Sequence, residues 1–253
     1  MTCGGDFRLV ELATRNPQPA TDMSNMQIDS RLNVLSRVYD LYDTFSAQFN
    51  FACVRGCCAC CTENVTITSL EGYRIVRHLI ATNQSDLFQR LQPAASQKRF
   101  QPTLTTNQIA ALCIQRQDPP DEYIDWPQAP CPFLSNNECL IYSQRPFGCR
   151  CFSSTEKCDA TGHAEVDPFL FTVNMMFVQF IEDIDHGGQF GNMADVLLGL
   201  KSEAHRKQYE MHPNLNRVPG LCVNHTIPGL LIPPDHQERI QPILKRLREI
   251  TGL

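Results

Sequence analysis

Five thiols within nine residues, at Cys53, Cys57, Cys58, Cys60 and Cys61, constrain this chain more than any other feature, and four more follow at Cys131, Cys139, Cys149 and Cys151. Thiolates are soft donors, and a zinc ion or an iron-sulfur cluster takes four of them converging in a small space, which short-spaced runs supply. A disulfide framework fits badly. Neighbours such as Cys57 and Cys58 stand about 3.8 Å apart at Cα, closer than a relaxed bridge prefers. With 253 residues, 42% of them hydrophobic, the chain buries a core without covalent staples. The thiols therefore point to metal.

The formal charge of −5 argues against a nucleic-acid partner, because a phosphate-binding surface shows as a basic excess. The most basic stretch, Lys245, Arg246 and Arg248, reads as the solvated end of a helix. The opening residues lack a basic segment followed by an apolar one, and no stretch approaches the roughly 18 apolar residues of a membrane span. A cytoplasmic protein with no membrane segment is the expectation.

Residues 1–27 show no sustained hydrophobic period and read as a flexible arm, leaving 28–253 as one cysteine-cluster helical domain with a metal-binding core at 50–160. From Ile28, apolar residues recur at three and four through Leu35, Val38, Tyr42 and Phe49, predicting a long amphipathic helix that ends just before Cys53. Val65 to Ile67 is β-prone, and Thr68 or Ser69 with Glu71 predicts a capped helix through Leu79 and Ile80. Thr105 or Thr106 caps another, on whose apolar face Cys113 reads as a small buried hydrophobe. Five prolines between Asp118 and Pro132 exclude regular structure and make a stiff connector into Cys131. An apolar helix from Phe169 to Asp185 is expected in the core, closed by Gly187 and Gly188. Further helices are expected from Met193 and, capped by Asp235, through Ile240 to Ile250 with a kink at Pro242. The fold class is mainly α, a single irregular helical domain with metal-binding cysteine loops.

The first run parses as C-x3-C-x2-C-C with Cys58 extra, and the second carries C-P-F-L from Cys131, C-L-I-Y from Cys139 and R-P-F-G-C-R from Arg145. This resembles the bacterial cysteine-cluster family of the CxxCxxCC type, a zinc- or iron-chelating domain. The resemblance covers about two fifths of the chain, from just before Cys53 to Cys158. It implies a centre held by Cys53, Cys57, Cys60, Cys61, Cys131, Cys139 and Cys149. One branch of that family is associated with lysine methylation of a protein substrate. The spacing here is one residue longer after Cys53, and Cys58, Cys151 and Cys158 stand as additional candidate ligands.

Gly56 allows the tight turn that faces Cys57, Cys60 and Cys61 to one point. Four thiolates on Zn²⁺, or on an oxidised [4Fe-4S] core, leave a charge of about −2 that favours nearby cations. Arg145 and Arg150 are the candidates beside the centre, with Arg55 a third. Nine clustered thiols exceed one four-cysteine zinc site, so some are spare, or there are two centres, or some perform redox chemistry. The runs match neither zinc-ribbon knuckles nor the ferredoxin spacing. Tight adjacency beside Phe51, Phe133, Leu134, Ile141 and Phe147 suits a buried iron-sulfur cluster somewhat better than zinc.

No hydrolase elbow, nucleotide loop or dinucleotide fingerprint accompanies the thiols, no histidine pair has metal-ligand spacing, and no catalytic residue is identified. Aromatic residues near the second run, Tyr123, Trp126 and Tyr142, are placed to line a pocket, but packing over the core is the favoured reading for aromatic residues in a proline-rich connector. Two functions compete: a metal- or iron-sulfur-binding protein with a redox or protein-modification role toward a protein partner or substrate, and a structural zinc module for protein interaction. A methyltransferase using S-adenosylmethionine lacks the glycine-rich cofactor loop it needs.

Overall fold

A computed structural model describes residues 8–10, 26–122, 126–158, 162–211 and 218–253. Helix accounts for 53% of it and strand for 8%, which makes the domain mainly α. The expected arm at 1–27 lies for the most part outside the described residues; within it, β1 (Arg8–Val10) pairs antiparallel with β7 (Leu230–Ile232).

The periodic residues after Ile28 form α1 (Ile28–Ser46), which ends earlier than its apolar pattern suggested. Phe49 still packs on the core beyond the helix end, so hydrophobic contact outlasts the helical backbone. β2 (Thr66–Thr68) leads into α2 (Ser69–Ala81), whose start is a reciprocal cap: Thr68 accepts from the Glu71 N–H while the Glu71 carboxylate accepts from the Thr68 N–H. A 3₁₀ segment (Ser85–Arg90) and α3 (Leu91–Ala95) follow. Thr105 and Gln108 make the same kind of box at α4 (Thr106–Ile114). The proline connector carries no helix among its described residues and runs beside the first cysteine loop, through a bridge between Thr62 and Pro130.

The second run contains a tight hairpin, β3 (Leu134–Ser135) with β4 (Glu138–Cys139), and a short helix, α5 (Phe147–Cys151). Asn136 and Asn137 both take positive φ at the hairpin turn, a conformation asparagine tolerates better than most residues. The long apolar helix is α6 (Pro168–Ile184), capped by the Asp167 side chain. β5 (Gln189–Asn192) then joins β2 on one side and β6 (Cys222–Val223) on the other. Between β5 and β6 lie α7 (Met193–Lys201) and α8 (Glu203–Met211). The last helix is α9 (Gln237–Thr251), with Pro242 inside it. Its start differs from expectation: a 3₁₀ turn over Pro234–His236 leads in, and Asp235 lies within that turn and does not cap α9.

Two apolar cores result. α1, α6 and α9 bury Leu35, Val38, Phe177, Phe180 and Leu244 in one. In the other, α2, α7 and the 3₁₀ segment bury Val76, Leu79, Phe88 and Leu197. Gly72 sets the approach of α2 to α7, because a Cβ there would stand 2.7 Å from Cγ1 of Val196. The second cysteine run is pinned to both cores. Phe147 enters the first, while Phe133 and Ile141 enter the second, all at most 4% exposed. Each such burial contributes about 1.5–3 kcal/mol, so the loops holding Cys131, Cys139 and Cys149 are anchored by their apolar neighbours.

Candidate metal centre

Backbone hydrogen bonds draw the two cysteine runs together. The Cys131 N–H donates to the Cys61 carbonyl (2.9 Å), and the Glu63 N–H donates to the Ala129 carbonyl (2.9 Å). On the other flank the Ala52 N–H donates to the Ser154 carbonyl (2.9 Å), and the Ser154 N–H donates to the Cys53 sulfur (3.3 Å). Within the first run, the Cys57 N–H returns to the Val54 carbonyl across Gly56, whose φ of +92° is the left-handed region glycine accepts without strain. Leu134 pairs with Cys139 across the hairpin, and α5 presents Cys149.

The consequence is one cavity of about 490 Å³ whose lining includes Cys53, Cys57, Cys60, Cys61, Cys131, Cys139 and Cys149, with Arg55, Arg145 and Arg150. Cys57 and Cys60 are exposed and the other five are half-buried, so the cavity opens at the surface. The buried position expected from the flanking apolar residues is corrected: the side chains of Phe133, Ile141 and Phe147 point into the cores and hold the loops, while Phe51 and Leu134 line the cavity. Among the described residues, no three His, Cys, Asp or Glu side chains converge closely enough to hold a metal as they stand. Ligation therefore requires the thiols to turn inward.

The thiols affect one another. Burial pushes Cys131 up to about 11 and raises Cys139 and Cys149, the last two against the pull of the Arg145 charge. Cys60 is raised first by its hydrogen bond to Cys61, which is correspondingly lowered, so one thiolate is favoured at that pair. Cys61 also feels the charges of Cys131, Cys149 and Cys139, whereas Cys53, raised mainly by burial, feels those of Cys57, Cys60 and Cys158.

The three additional candidates separate. Cys58 points at the Asn137 side chain (3.5 Å) on the hairpin turn. Cys151 packs against the first core, and burial pushes it up to about 12. Cys158 lies within electrostatic reach of Cys53. Cys113, on α4, is half-buried and disulfide-bonded, which corrects its reading as a plain buried thiol. Cys222 donates to the Pro102 carbonyl (3.1 Å), away from the cluster, and Cys3 lies outside the described residues.

The arginines separate as well. Arg145 lies over the Tyr142 ring (3.8 Å), its charge reaches Cys60, Cys139 and Cys149, and its Nε is buried with no hydrogen-bond partner. Arg150 spends its guanidinium on the Asp43 carboxylate (3.0 Å) and the carbonyls of Arg145 (3.0 Å) and Ser143 (3.3 Å), so it braces the loop. Exposed Arg55 pairs with Glu138 at 3.5 Å. Ser153, also in the lining, has a buried hydroxyl without a partner. Two unpartnered polar atoms beside a set of thiols suit an anionic metal-thiolate group, and the residues present fit such a centre.

Sequence reasoning missed Tyr142. Sequence favours packing over pocket lining there, yet Tyr142 is exposed, lines the cavity and lies between Arg55 and Arg145. Its place immediately after Ile141 was the available signal, because a buried Ile141 within an irregular segment turns its neighbour outward. Trp126 packs edge-on against Phe100, as expected of a packing residue, and Tyr123 lies outside the described residues.

Residues 52–166 match the family model CxxCxxCC, described as "putative zinc- or iron-chelating domain". No curated protein and no solved structure matches the chain. No helix among the described residues is long and apolar enough to cross a membrane.

Proposed function

Taking the match to a zinc- or iron-chelating domain as premise, we propose that this is a metal-binding cysteine-cluster protein whose two loops hold an iron-sulfur cluster in preference to zinc, in a redox or protein-modifying role. One observation carries the reading: seven thiols from runs separated by roughly 70 residues of chain line a single cavity. Arg145 supplies the positive charge an anionic cluster needs, and the surface opening gives a partner access. When bound, the group would supply electron transfer if iron-sulfur and a structural cross-link if zinc.

A protein partner or substrate is favoured by the cavity rim. Val54, Tyr142 and Phe152 line the cavity and are 71%, 42% and 59% exposed, a set of large apolar groups that a docking protein would cover. The dense unbridged thiols of the cavity favour reducing conditions such as those of a cytoplasm, while the disulfide at Cys113 is of the kind that persists in oxidising ones.

The test is the visible spectrum with iron, sulfide and zinc content of protein purified without oxygen or chelator. Iron matched by sulfide, with a broad band near about 400 nm, is the expected result. Colourless protein with stoichiometric zinc would put the structural interaction module in its place.

A further inference from the structure

Apart from the cysteine cavity, and lined by none of its thiols, the structure holds a second cavity of about 560 Å³. Well-packed interiors leave few voids larger than a water molecule, and this volume falls in the range of small-molecule sites. One face of α6 forms a long wall, on which Pro168, Thr172, Met175, Met176 and Gln179 recur at three and four residues. Ile109, Ala110 and Cys113 of α4 and Leu230 to Ile232 of β7 complete the apolar lining. From Pro168 to Gln179 the wall runs about 16 Å at the helical rise, so the cavity is an elongated slot. Glu165, Pro168 and Phe171 are exposed at one end, whereas Gln179 at the other is 4% exposed. The slot therefore has a mouth and a deep end.

We propose that this slot binds a neutral straight-chain lipid bearing a hydroxyl group, with the hydroxyl donating to Oε1 of Gln179 and the alkyl chain lying along α6. Gln179 donates both amide hydrogens, to Oδ1 of Asn107 (3.0 Å) and to the Gly229 carbonyl (3.1 Å). The Asn107 amide is itself oriented, because it donates to the carbonyls of Gln179 (3.1 Å) and His225 (2.8 Å). Oε1 of Gln179 is thereby fixed as an acceptor and has no donor among the described residues, so the occupant supplies one. Charge selects the rest. No Lys or Arg lines the slot among the described residues, and Glu165 at the mouth is acidic, so a carboxylate head would be buried without a cation. An ammonium head would leave water for a single amide oxygen, which a neutral hydroxyl does at far less cost. Nearer the mouth, Thr172 and His236 bond to each other (2.9 Å), and the Cys113 sulfur is held in its disulfide, so the middle of the slot offers apolar contact. Met175 and Met176, unbranched and adaptable, suit a flexible chain.

Calorimetric titration of the full chain with decanol, its methyl ether and decanoate tests this, with circular dichroism to confirm that each variant is folded. The expected result is saturable binding of a single decanol per chain, with the ether, which has no hydrogen to donate, and the carboxylate each weaker by about ten-fold or more. Gln179→Leu should bind decanol and the ether alike, and Ala110→Phe, which fills the slot without touching its polar groups, should bind neither. Should Gln179→Leu fail to fold, the ratio of alcohol to ether in the unaltered protein decides the hydrogen bond; should Ala110→Phe fail, Met175→Trp takes its place as the filling variant. Absence of saturable binding, several decanol molecules per chain, equal affinity for alcohol and ether, tighter binding of decanoate, or undiminished binding by a folded filling variant overturns the proposal. None of these readouts involves the thiols, so the metal-binding reading stands or falls separately.

Discussion

The Glu71 carboxylate accepts a hydrogen bond from the backbone N–H of Phe147 at 2.7 Å, which joins the start of α2 to the start of the helix carrying Cys149. The same carboxylate accepts from the Tyr39 hydroxyl (2.6 Å) and the Thr68 N–H (2.9 Å), so one buried group ties α1, β2, α2 and α5 together beside the cysteine cavity.

Replacing it should therefore act at a distance. Glu71→Ala leaves the Tyr39 hydroxyl and the Phe147 N–H buried without partners, an expected loss of about 3 kcal/mol or more, together with reduced metal retention. Glu71→Gln, which keeps the shape but has a single acceptor oxygen, should lie between. Urea unfolding and metal analysis on the same samples measure both effects.

Arg145 is expected to matter through charge. Arg145→Leu removes the cation that favours thiolate at Cys60, Cys139 and Cys149, and should weaken metal binding by about ten-fold, or roughly 1.4 kcal/mol. Arg145→Lys should recover most of that. Chelator competition reads the difference, and equal affinities in all three proteins would remove Arg145 from the site.

Removing the metal should cost global stability. A centre joining Cys61 to Cys131 closes a loop of roughly 70 residues, worth about 4 kcal/mol by the entropy of loop closure. Stripped protein should unfold at a lower urea concentration than loaded protein at equal reductant. A negligible change would mean that the apolar anchors Phe133, Ile141 and Phe147 hold the loops unaided.

Glu182 gives the protein a pH dependence unconnected with the thiols. Burial pushes its carboxyl up to about 7, although hydrogen bonds from Thr105, His225 and Asn107 pull the other way. The folded chain then holds this proton more tightly than the unfolded one between about pH 4.5 and 7. Raising the pH through that window removes stability on the order of 3 kcal/mol from this group, with no further loss above it. Glu182→Gln should flatten the slope relative to the unaltered protein, even if its single acceptor oxygen lowers stability overall. Unfolding at pH 5, 6, 7 and 8 supplies the comparison.

Asp185 is the other buried charge with a definite expectation. It pairs with Arg31 and also accepts from Tyr209, Ser69, the Leu70 N–H and Asn224, with both charged side chains at most 2% exposed. Asp185→Ala strands the Arg31 cation and should cost about 3–5 kcal/mol, whereas Arg31→Met with Asp185→Asn should cost less than the single change, because it removes both charges. Thermal unfolding of the single and paired variants tests this.

The sequence by itself determined the helical class, capped helix starts at Thr68 or Ser69 and at Thr105 or Thr106, the stiff connector and the presence of a dense thiol set. These are short-range matters: apolar spacing, a cap and its partner three residues on, and proline all act within a turn or two of backbone. Which thiols face one another, that Arg145 faces them while Arg150 is held by Asp43, and that β2 pairs with β5 more than a hundred residues on were decided only in the tertiary structure. Those outcomes depend on how two separate cores position loops that have no periodic pattern of their own, and on burial that no local stretch of chain contains. A cysteine's neighbours in sequence give its distance to the next sulfur along the chain; the buried Phe133, Ile141 and Phe147 give its distance to the others.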